Sequence, residues 1–197
     1  MKRHTLFSLT LATLLLTLPL YAKAQDHNKT KSEENTTVNN EIAVIETEHG
    51  NIEIEFFRRD APKTVENFVQ LAKKGYYNGV LFHRVISGFV IQGGDPTGTG
   101  GGGESIYGST FEDEINPNSQ LYKDGYKRGV LAMANRGPNT NSSQFFIVHR
   151  DAPLPPSYTI FGRVIEGMDT VDKIAAVATG DGDRPINDVK MIKVSIK

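Results

Sequence analysis

Short apolar runs, each closed by turn residues, limit the fold of this chain more than any other feature of its sequence. Runs of this kind, separated by Gly, Pro and Asn, are typical of β-strands. Five of them lie at 80–86, 88–93, 129–134, 144–149 and 159–165. Because so few helical segments separate them, the runs do not suit a doubly wound sheet, which needs a helix after each strand.

Alternating apolar and polar residues predict further strands at both ends of this region. The segment EIAVIETEHGNIEIEFF, at 41–57, alternates on either side of Gly50-Asn51, which predicts a half-buried hairpin that turns at these two residues. Ile52 and Ile54 are expected on its core side. The final residues, at 188–197, alternate in the same way and predict a closing strand.

Two segments have the apolar period of a helix. In the first, Asp60 is predicted to cap the helix, Pro62 to lie in its first turn and Gly75 to end it. The second fits 168–178. About eight short strands and two helices predict a mainly β fold, a closed and mainly antiparallel barrel with a helix over each end, because closure removes exposed strand edges.

The N-terminal residues 1–24 have the composition of an export signal. Two basic residues precede a short apolar stretch, and Ala22-Lys23-Ala24 matches the small-x-small pattern of a signal-peptidase site. The apolar stretch is shorter than the ~20 residues needed to span a bilayer. We therefore predict cleavage after Ala24 with no stable membrane insertion afterwards, and an uncleaved anchor is the alternative. The predicted location is the periplasm, or outside the cell if the host lacks an outer membrane.

After the signal, residues 25–41 are polar and aperiodic, which predicts a disordered spacer before one folded domain at 42–197. Removing 1–24 takes three basic residues and no acidic one from the 22 basic and 23 acidic residues of the chain, so the mature net charge is about −4. That balance argues against nucleic acid as a partner. The chain has no cysteine, which excludes disulfides, thiol chemistry and zinc-thiolate sites.

Several kinds of site find little support in the sequence. His83 and His149 have no metal-ligand spacing and are predicted to be structural hydrogen-bonding residues, and Asp181 and Asp183 fit a surface turn better than a calcium loop. The glycines of 98–103 match the dinucleotide fingerprint as a string, but no helical pattern follows them. We expect no metal and no cofactor, and a nucleotide-binding domain is a weakly supported third hypothesis.

One arginine lies in the first of the two apolar runs that precede the glycine tract at 98–103. Arg84 could form a buried structural pair, cradle a phosphate, or act as an electrophile beside an apolar pocket. Side-chain amides at Gln92, Asn135 and Gln144 alternate with phenylalanines in nearby strands. Amides suit backbone carbonyls and an apolar pocket suits a ring, so this combination favours a site for neutral polypeptide.

Four separated blocks carry a resemblance to a known family: FHRVISGFVIQGGD, GSTFEDE, GVLAMANRGPNTNSSQFFIV and YTIFGRVIEGMDTVDKI. In this order they resemble the cyclophilins, which are peptidyl-prolyl cis-trans isomerases, and we expect an exported bacterial type. The resemblance covers 42–197 and implies an eight-stranded antiparallel barrel capped by two helices. It implies that three residues are catalytic: Arg84, Gln92 and Asn135. It also implies that seven residues bind substrate: Phe89, Val90, Ala134, Gln144, Phe146, Leu154 and Tyr158.

The sequence departs from the family pattern between Arg150 and Phe161. Many relatives have a tryptophan there and later a histidine, whereas this chain has no tryptophan and has Tyr158 at the histidine's place, in a loop that is one residue shorter. The missing indole implies weak binding of cyclosporin. The expected function is acceleration of Xaa-Pro rotation in exported polypeptides by a monomer, and the alternative is a proline-binding chaperone or scaffold without significant isomerase activity.

Overall fold

A computed structural model describes residues 41–197, so the predicted signal at 1–24 and all but the last residue of the predicted spacer lie outside the described residues. Eight strands and three helices make up the described part. The strands are β1 Ile42–Thr47, β2 Gly50–Phe56, β3 Arg84–Ile86, β4 Val90–Gly93, β5 Val130–Met133, β6 Phe145–Val148, β7 Ile160–Glu166 and β8 Met191–Ile196. The helices are α1 Pro62–Lys73, α2 Gln120–Asp124 and α3 Met168–Ala175.

All strand pairs are antiparallel, and they form one sheet in the order β3-β4-β6-β5-β7-β2-β1-β8. The predicted eight antiparallel strands are therefore confirmed. Full closure of the barrel is not: β3 and β8 end the ladder, and the sheet is a half-barrel. Just before β3, the N–H of Phe82 donates to the carbonyl of Val189, two residues before β8, at 2.9 Å. From Arg84 onward the chain pairs with β4 instead. Because it changes partner within two residues, no continuous ladder joins the two edges.

Helices α1 and α3 match the two predicted helices, but the predicted cap of α1 is wrong. The residue before Pro62 is Ala61, which offers no side-chain acceptor. Glu114 takes this role from far along the chain: its carboxylate accepts hydrogen bonds from Lys63 N at 3.0 Å and from Thr64 N at 2.8 Å. These N–H groups would otherwise lack partners at the helix start. The short α2, which the sequence analysis missed, has Ser119 at its N-cap.

The hairpin at the start of the domain forms with its turn displaced from the predicted position. Thr47 pairs with Gly50, so the turn residues are Glu48 and His49 rather than Gly50-Asn51. The predicted core side is confirmed, because Ile52 is fully buried. Glu41, the last residue of the predicted spacer, forms ion pairs with the side chains of Arg58 and Lys73.

Two apolar clusters lie on opposite faces of the central strands. Ile91 belongs to the larger cluster, which α1 and α3 help to enclose, whereas Val90 belongs to a smaller cluster with Phe146. Since adjacent residues of a strand point to opposite faces, β4 contributes to both. Within 41–197, no helix is long and apolar enough to cross a bilayer. The smaller cluster supports the candidate site.

Candidate active site

A cavity of about 150 Å³ opens beside the smaller cluster, on the face formed by β3, β4 and β6. Nine of the ten site residues expected from the sequence line it: Arg84, Phe89, Val90, Gln92, Ala134, Asn135, Phe146, Leu154 and Tyr158. The tenth, Gln144, lies next to the cavity and contacts its polar side. The structure therefore brings the expected residues together at one place.

Strand register explains why the central residues of the cavity share one face. Arg84 pairs with Gln92 across β3 and β4, and Gln92 pairs with Phe146 across β4 and β6. Directly paired residues in antiparallel strands point to the same side of the sheet. A cation, an amide and an aromatic ring consequently stand in one row across three strands.

The apolar part of the cavity is built on aromatic packing. Phe146 is buried, and its ring meets the ring of Tyr158 edge to face with centroids 5.5 Å apart. The hydroxyl of Tyr126 fixes the backbone of Tyr158, donating to its carbonyl at 2.8 Å and accepting from its N–H at 3.1 Å. Burial raises the pKa of Tyr126 to about 12, so the hydroxyl keeps its proton at neutral pH. This side of the cavity is thus a packed apolar surface whose backbone is held by hydrogen bonds.

Arg84 is neither buried nor part of a phosphate cradle. Its side chain is 40% exposed, and its Nε lies 3.3 Å from Asp183 Oδ2. Its Nη1 lies 3.5 Å from Gln92 Oε1, and its head faces the apolar cavity. Of the three alternatives posed by the sequence, the arrangement matches an electrophile beside an apolar pocket.

A chain of amides links Arg84 to the glycine tract. Gln92 Nε2 donates to Gln144 Oε1 at 3.0 Å, and Gln144 Nε2 donates to the carbonyls of Gly100 and Gly102 at 3.0 and 2.7 Å. Gln144 therefore orients Gln92 rather than lining the cavity itself. Asn135 is also engaged, because its Nδ2 donates to Ser157 O at 2.8 Å and ties the strand end to the loop before Tyr158.

The glycine tract at 98–103 is a braced loop and has no helix after it. Asp95, which is fully buried, accepts hydrogen bonds from Thr97 N at 2.8 Å and from Gly102 N at 3.0 Å. Burial alone would raise the pKa of Asp95, but the hydrogen bonds from Gly102 and Thr97 outweigh it and lower the pKa. Without a helix N-terminus at its end, the loop lacks the feature that binds a dinucleotide pyrophosphate.

A second, smaller pocket adjoins the first and was not expected from the sequence. Its volume is about 60 Å³, and its lining residues are Gln92, Gly100, Ala134, Asn135, Arg136, Thr140, Ser142 and Gln144. Arg136, which is exposed, donates from Nη2 to Gly100 O at 3.0 Å. The sequence analysis missed three of these residues: Arg136, Thr140 and Ser142. All three lie between Asn135 and Gln144 in the sequence, and this position between two expected site residues could have predicted them.

His83 and His149, which lie directly before β3 and directly after β6, have different surroundings. His149 accepts from Gly88 N at Nδ1, 2.9 Å away, and its Nε2 lies 3.1 Å from Asp172 Oδ1, so its predicted structural role is confirmed. For His83 the prediction is wrong, because neither buried ring nitrogen has a hydrogen-bond partner among residues 41–197. Burial lowers the pKa of both imidazoles, which are therefore neutral at neutral pH. No cluster of three metal-ligating side chains occurs in the described part of the chain.

Comparison with known proteins agrees with this geometry. Residues 42–196 match the family model described as cyclophilin type peptidyl-prolyl cis-trans isomerase/CLD. A peptidyl-prolyl cis-trans isomerase of Schizosaccharomyces pombe is 55% identical over 150 residues, which are 76% of this chain and 94% of the relative. One of Arabidopsis thaliana is 50% identical over 153 residues, 77% of this chain and 91% of the relative.

A solved structure is similar as well. The cyclophilin type peptidyl-prolyl cis-trans isomerase of Cryptosporidium parvum, crystallised in the presence of the dipeptide Ala-Pro, is 42% identical with a TM-score of 0.74. The match covers 79% of this chain and 98% of that one. These three relatives are eukaryotic proteins.

Proposed function

The chain belongs to the family of cyclophilin-type peptidyl-prolyl cis-trans isomerases, and we propose that the cavity beside Arg84 is the place where it acts on proline. The observation that carries the proposal is the meeting of one cation, two amides and an apolar pocket in a single cavity. Relatives about half identical to this chain are named for the reaction, and one similar structure was solved with Ala-Pro present.

The reaction sets modest chemical demands. Rotation about an Xaa-Pro bond makes and breaks no covalent bond, yet its barrier is about 18–20 kcal/mol because the planar amide is stabilised by resonance. In the twisted transition state this resonance is lost and the proline nitrogen regains a lone pair. A site that stabilises the lone pair accelerates the reaction without a nucleophile or a general base.

Arg84 has the properties that such a site needs. A guanidinium hydrogen-bonds the nitrogen in the twisted state and hardly at all in the planar states, which is the differential binding that lowers a barrier. A rise from ~0.01 per second to an enzymatic ~10 to 1000 per second corresponds to about 4–7 kcal/mol. One preorganised charged donor in a dry site supplies roughly 3–4 kcal/mol of this. Positioning of the substrate supplies the remainder.

The other cavity residues would hold the substrate in place while Arg84 acts on the proline nitrogen. Five would enclose the proline ring: Phe89, Val90, Phe146, Leu154 and Tyr158. The amides of Gln92 and Asn135 would bind the flanking backbone, with Gln144 holding Gln92 in place through the 3.0 Å bond. A scaffold that only binds proline needs the apolar pocket alone, so Arg84 at its edge favours an active isomerase.

We expect the purified protein to isomerise Ala-Pro peptides and to bind cyclosporin weakly. The chain contains no tryptophan, so the indole that helps to hold cyclosporin in relatives is absent, whereas the proline pocket is complete. A protease-coupled assay measures the first property, and inhibition of the same assay by cyclosporin measures the second. Peptide binding without acceleration would establish the scaffold alternative, and inhibition as tight as in tryptophan-bearing relatives would contradict the expected effect of this loop.

We further propose that the protein is a bacterial, exported isomerase that assists folding of other exported proteins as a monomer in the periplasm. Support comes from the basic start, the short apolar stretch and the Ala22-Lys23-Ala24 motif. Proline-containing polypeptides are its partners, and its mature acidic balance argues against nucleic acid.

Export predicts a defined mature N-terminus. Cleavage after Ala24 leaves a protein that begins at Gln25, because the small residues at 22 and 24 fit the peptidase. Intact mass spectrometry of the protein recovered from the producing cells measures the start directly. Recovery of an exported protein that still begins with Met1 would support a membrane anchor instead.

A further inference from the structure

A carboxylate that lies far along the chain contacts Arg84, and it does not belong to the residues that line the cavity. Asp183 Oδ2 is 3.3 Å from Arg84 Nε, and the two side chains are 45% and 40% exposed. Within residues 41–197, Asp183 is the only carboxylate within 4 Å of this guanidinium. Arg84 Nη1 faces Gln92 instead, so the head has a contact on each of two sides.

The backbone of Asp183 adopts a conformation that few side chains tolerate. Its φ is +61°, in the left-handed region, and it ends the short 3₁₀ segment Asp181–Asp183. Outside glycine, this conformation is most accessible to Asn and Asp, and it costs free energy for other residues. An unusual backbone that presents a charged group to a reactive site suggests a functional reason for its presence.

The turn that carries Asp183 is braced by its neighbours. Gly180 N donates to Arg184 O at 2.8 Å, and Ile186 N donates to Ala178 O at 2.9 Å. Arg184 Nη1 donates to Gly98 O at 2.7 Å, which links the same turn to the glycine loop. The carboxylate of Asp183 therefore stands on a fixed support rather than on a free loop.

We propose that Asp183 is a positioning residue that preorganises the Arg84 guanidinium for the proline nitrogen, an inference that rests on the proposed role of Arg84. Arginine has a long side chain with many rotamers, and it loses conformational entropy when it is fixed. An ion pair at Nε restricts the head before substrate arrives. Of the five N–H donors of the guanidinium, those at Nη1 remain directed toward Gln92.

The contact is partly exposed, so its effect is smaller than that of Arg84 itself. Solvent screens such pairs, and an exposed pair is worth up to about 1 kcal/mol, which corresponds to a factor of roughly five. We expect Asp183→Asn to lower kcat about two- to fivefold, because it keeps the shape and the backbone preference but removes the charge. KM should stay within about twofold, since Asp183 does not line the cavity.

A second variant and a matched control complete the experiment. Asp183→Gly removes the side chain and suits the positive φ, so the turn should persist while kcat falls at least as far as in Asp183→Asn. Asp181→Asn removes a charge from the same turn at an exposed residue and should leave kcat and KM unchanged. Thermal midpoints of the three variants report whether each remains folded during the assay.

Combination with Arg84→Ala distinguishes positioning from any independent effect. If Asp183 acts through Arg84, Asp183→Gly has no further effect on kcat in the Arg84→Ala protein. An equal loss in both backgrounds would overturn the inference, as would wild-type kcat in folded Asp183→Asn and Asp183→Gly proteins. Full activity of the Arg84→Ala protein would overturn the proposed role of Arg84. If Arg84→Ala lowers kcat but the Asp183 variants keep full activity, only the positioning role of Asp183 is overturned.

Discussion

Arg84→Ala is expected to lower kcat/KM for Xaa-Pro isomerisation by about two to three decades, because it removes roughly 3–4 kcal/mol of stabilisation of the twisted amide. Arg84→Lys should recover little, since an ammonium lacks the planar fork and sits at a different place. The protease-coupled assay measures both. Arg163→Ala is a suitable control, because Arg163 is exposed on β7 and pairs with Glu55 outside the cavity. An Arg84→Ala protein that keeps most of its activity would refute the mechanism.

The same mechanism predicts that the wild-type rate is nearly flat from about pH 6 to 9, where a general acid–base pair would give a bell. Arginine stays protonated throughout this range, and the cavity amides do not ionise. Burial lowers the pKa of His83 and of His149, so these imidazoles lose any charge on the acidic side of their usual range. A steep dependence centred near pH 6.5 would indicate a catalytic histidine instead.

Phe68→Ala should destabilise the domain by about 3–5 kcal/mol, the usual result of deleting a buried aromatic ring. Phe68 of α1 is 1% exposed. Its ring packs against four others, those of Phe56, Tyr77, Phe145 and Phe161, with centroids 4.9 to 5.7 Å apart.

Urea unfolding measures this loss of stability. Ile192→Ala is the matched control, because Ile192 is 57% exposed and its truncation should change the free energy of unfolding by less than about 0.5 kcal/mol. A Phe68→Ala protein as stable as the control would mean that α1 does not anchor the core.

Local sequence pattern was sufficient to predict the strands and, where apolar and polar residues alternate, the face that meets the core. Alternation in β2 places Ile52 and Ile54 on the core side, because the period of a strand is two residues. In β4 both Val90 and Ile91 are buried, on opposite faces, so the pattern there does not identify one core side. Closure was not predictable in this way. It depends on where the chain changes partner. Phe82 still pairs with Val189 beside β8, whereas Arg84 already pairs with β4, and the first of these contacts joins residues about a hundred positions apart.

The site was predicted as far as the resemblance supplied its residues. Arg84, Gln92 and Phe146 were expected together, and strand register brings them together. Asp183 was interpreted as part of a surface turn. It is one, but its carboxylate reaches a residue 99 positions earlier in the chain, and no local pattern encodes such a pair.

The cap that Glu114 provides to α1 has a consequence for the order in which the domain folds. The helix and its acceptor are separated by 50 residues, so the closing of a long loop must precede the satisfaction of its first N–H groups. As the chain is made from its N-terminus, α1 emerges well before Glu114 does. We therefore expect the first turn of α1 to lack this acceptor in the nascent chain and to gain it only after the segment that follows β4 has docked against the helix.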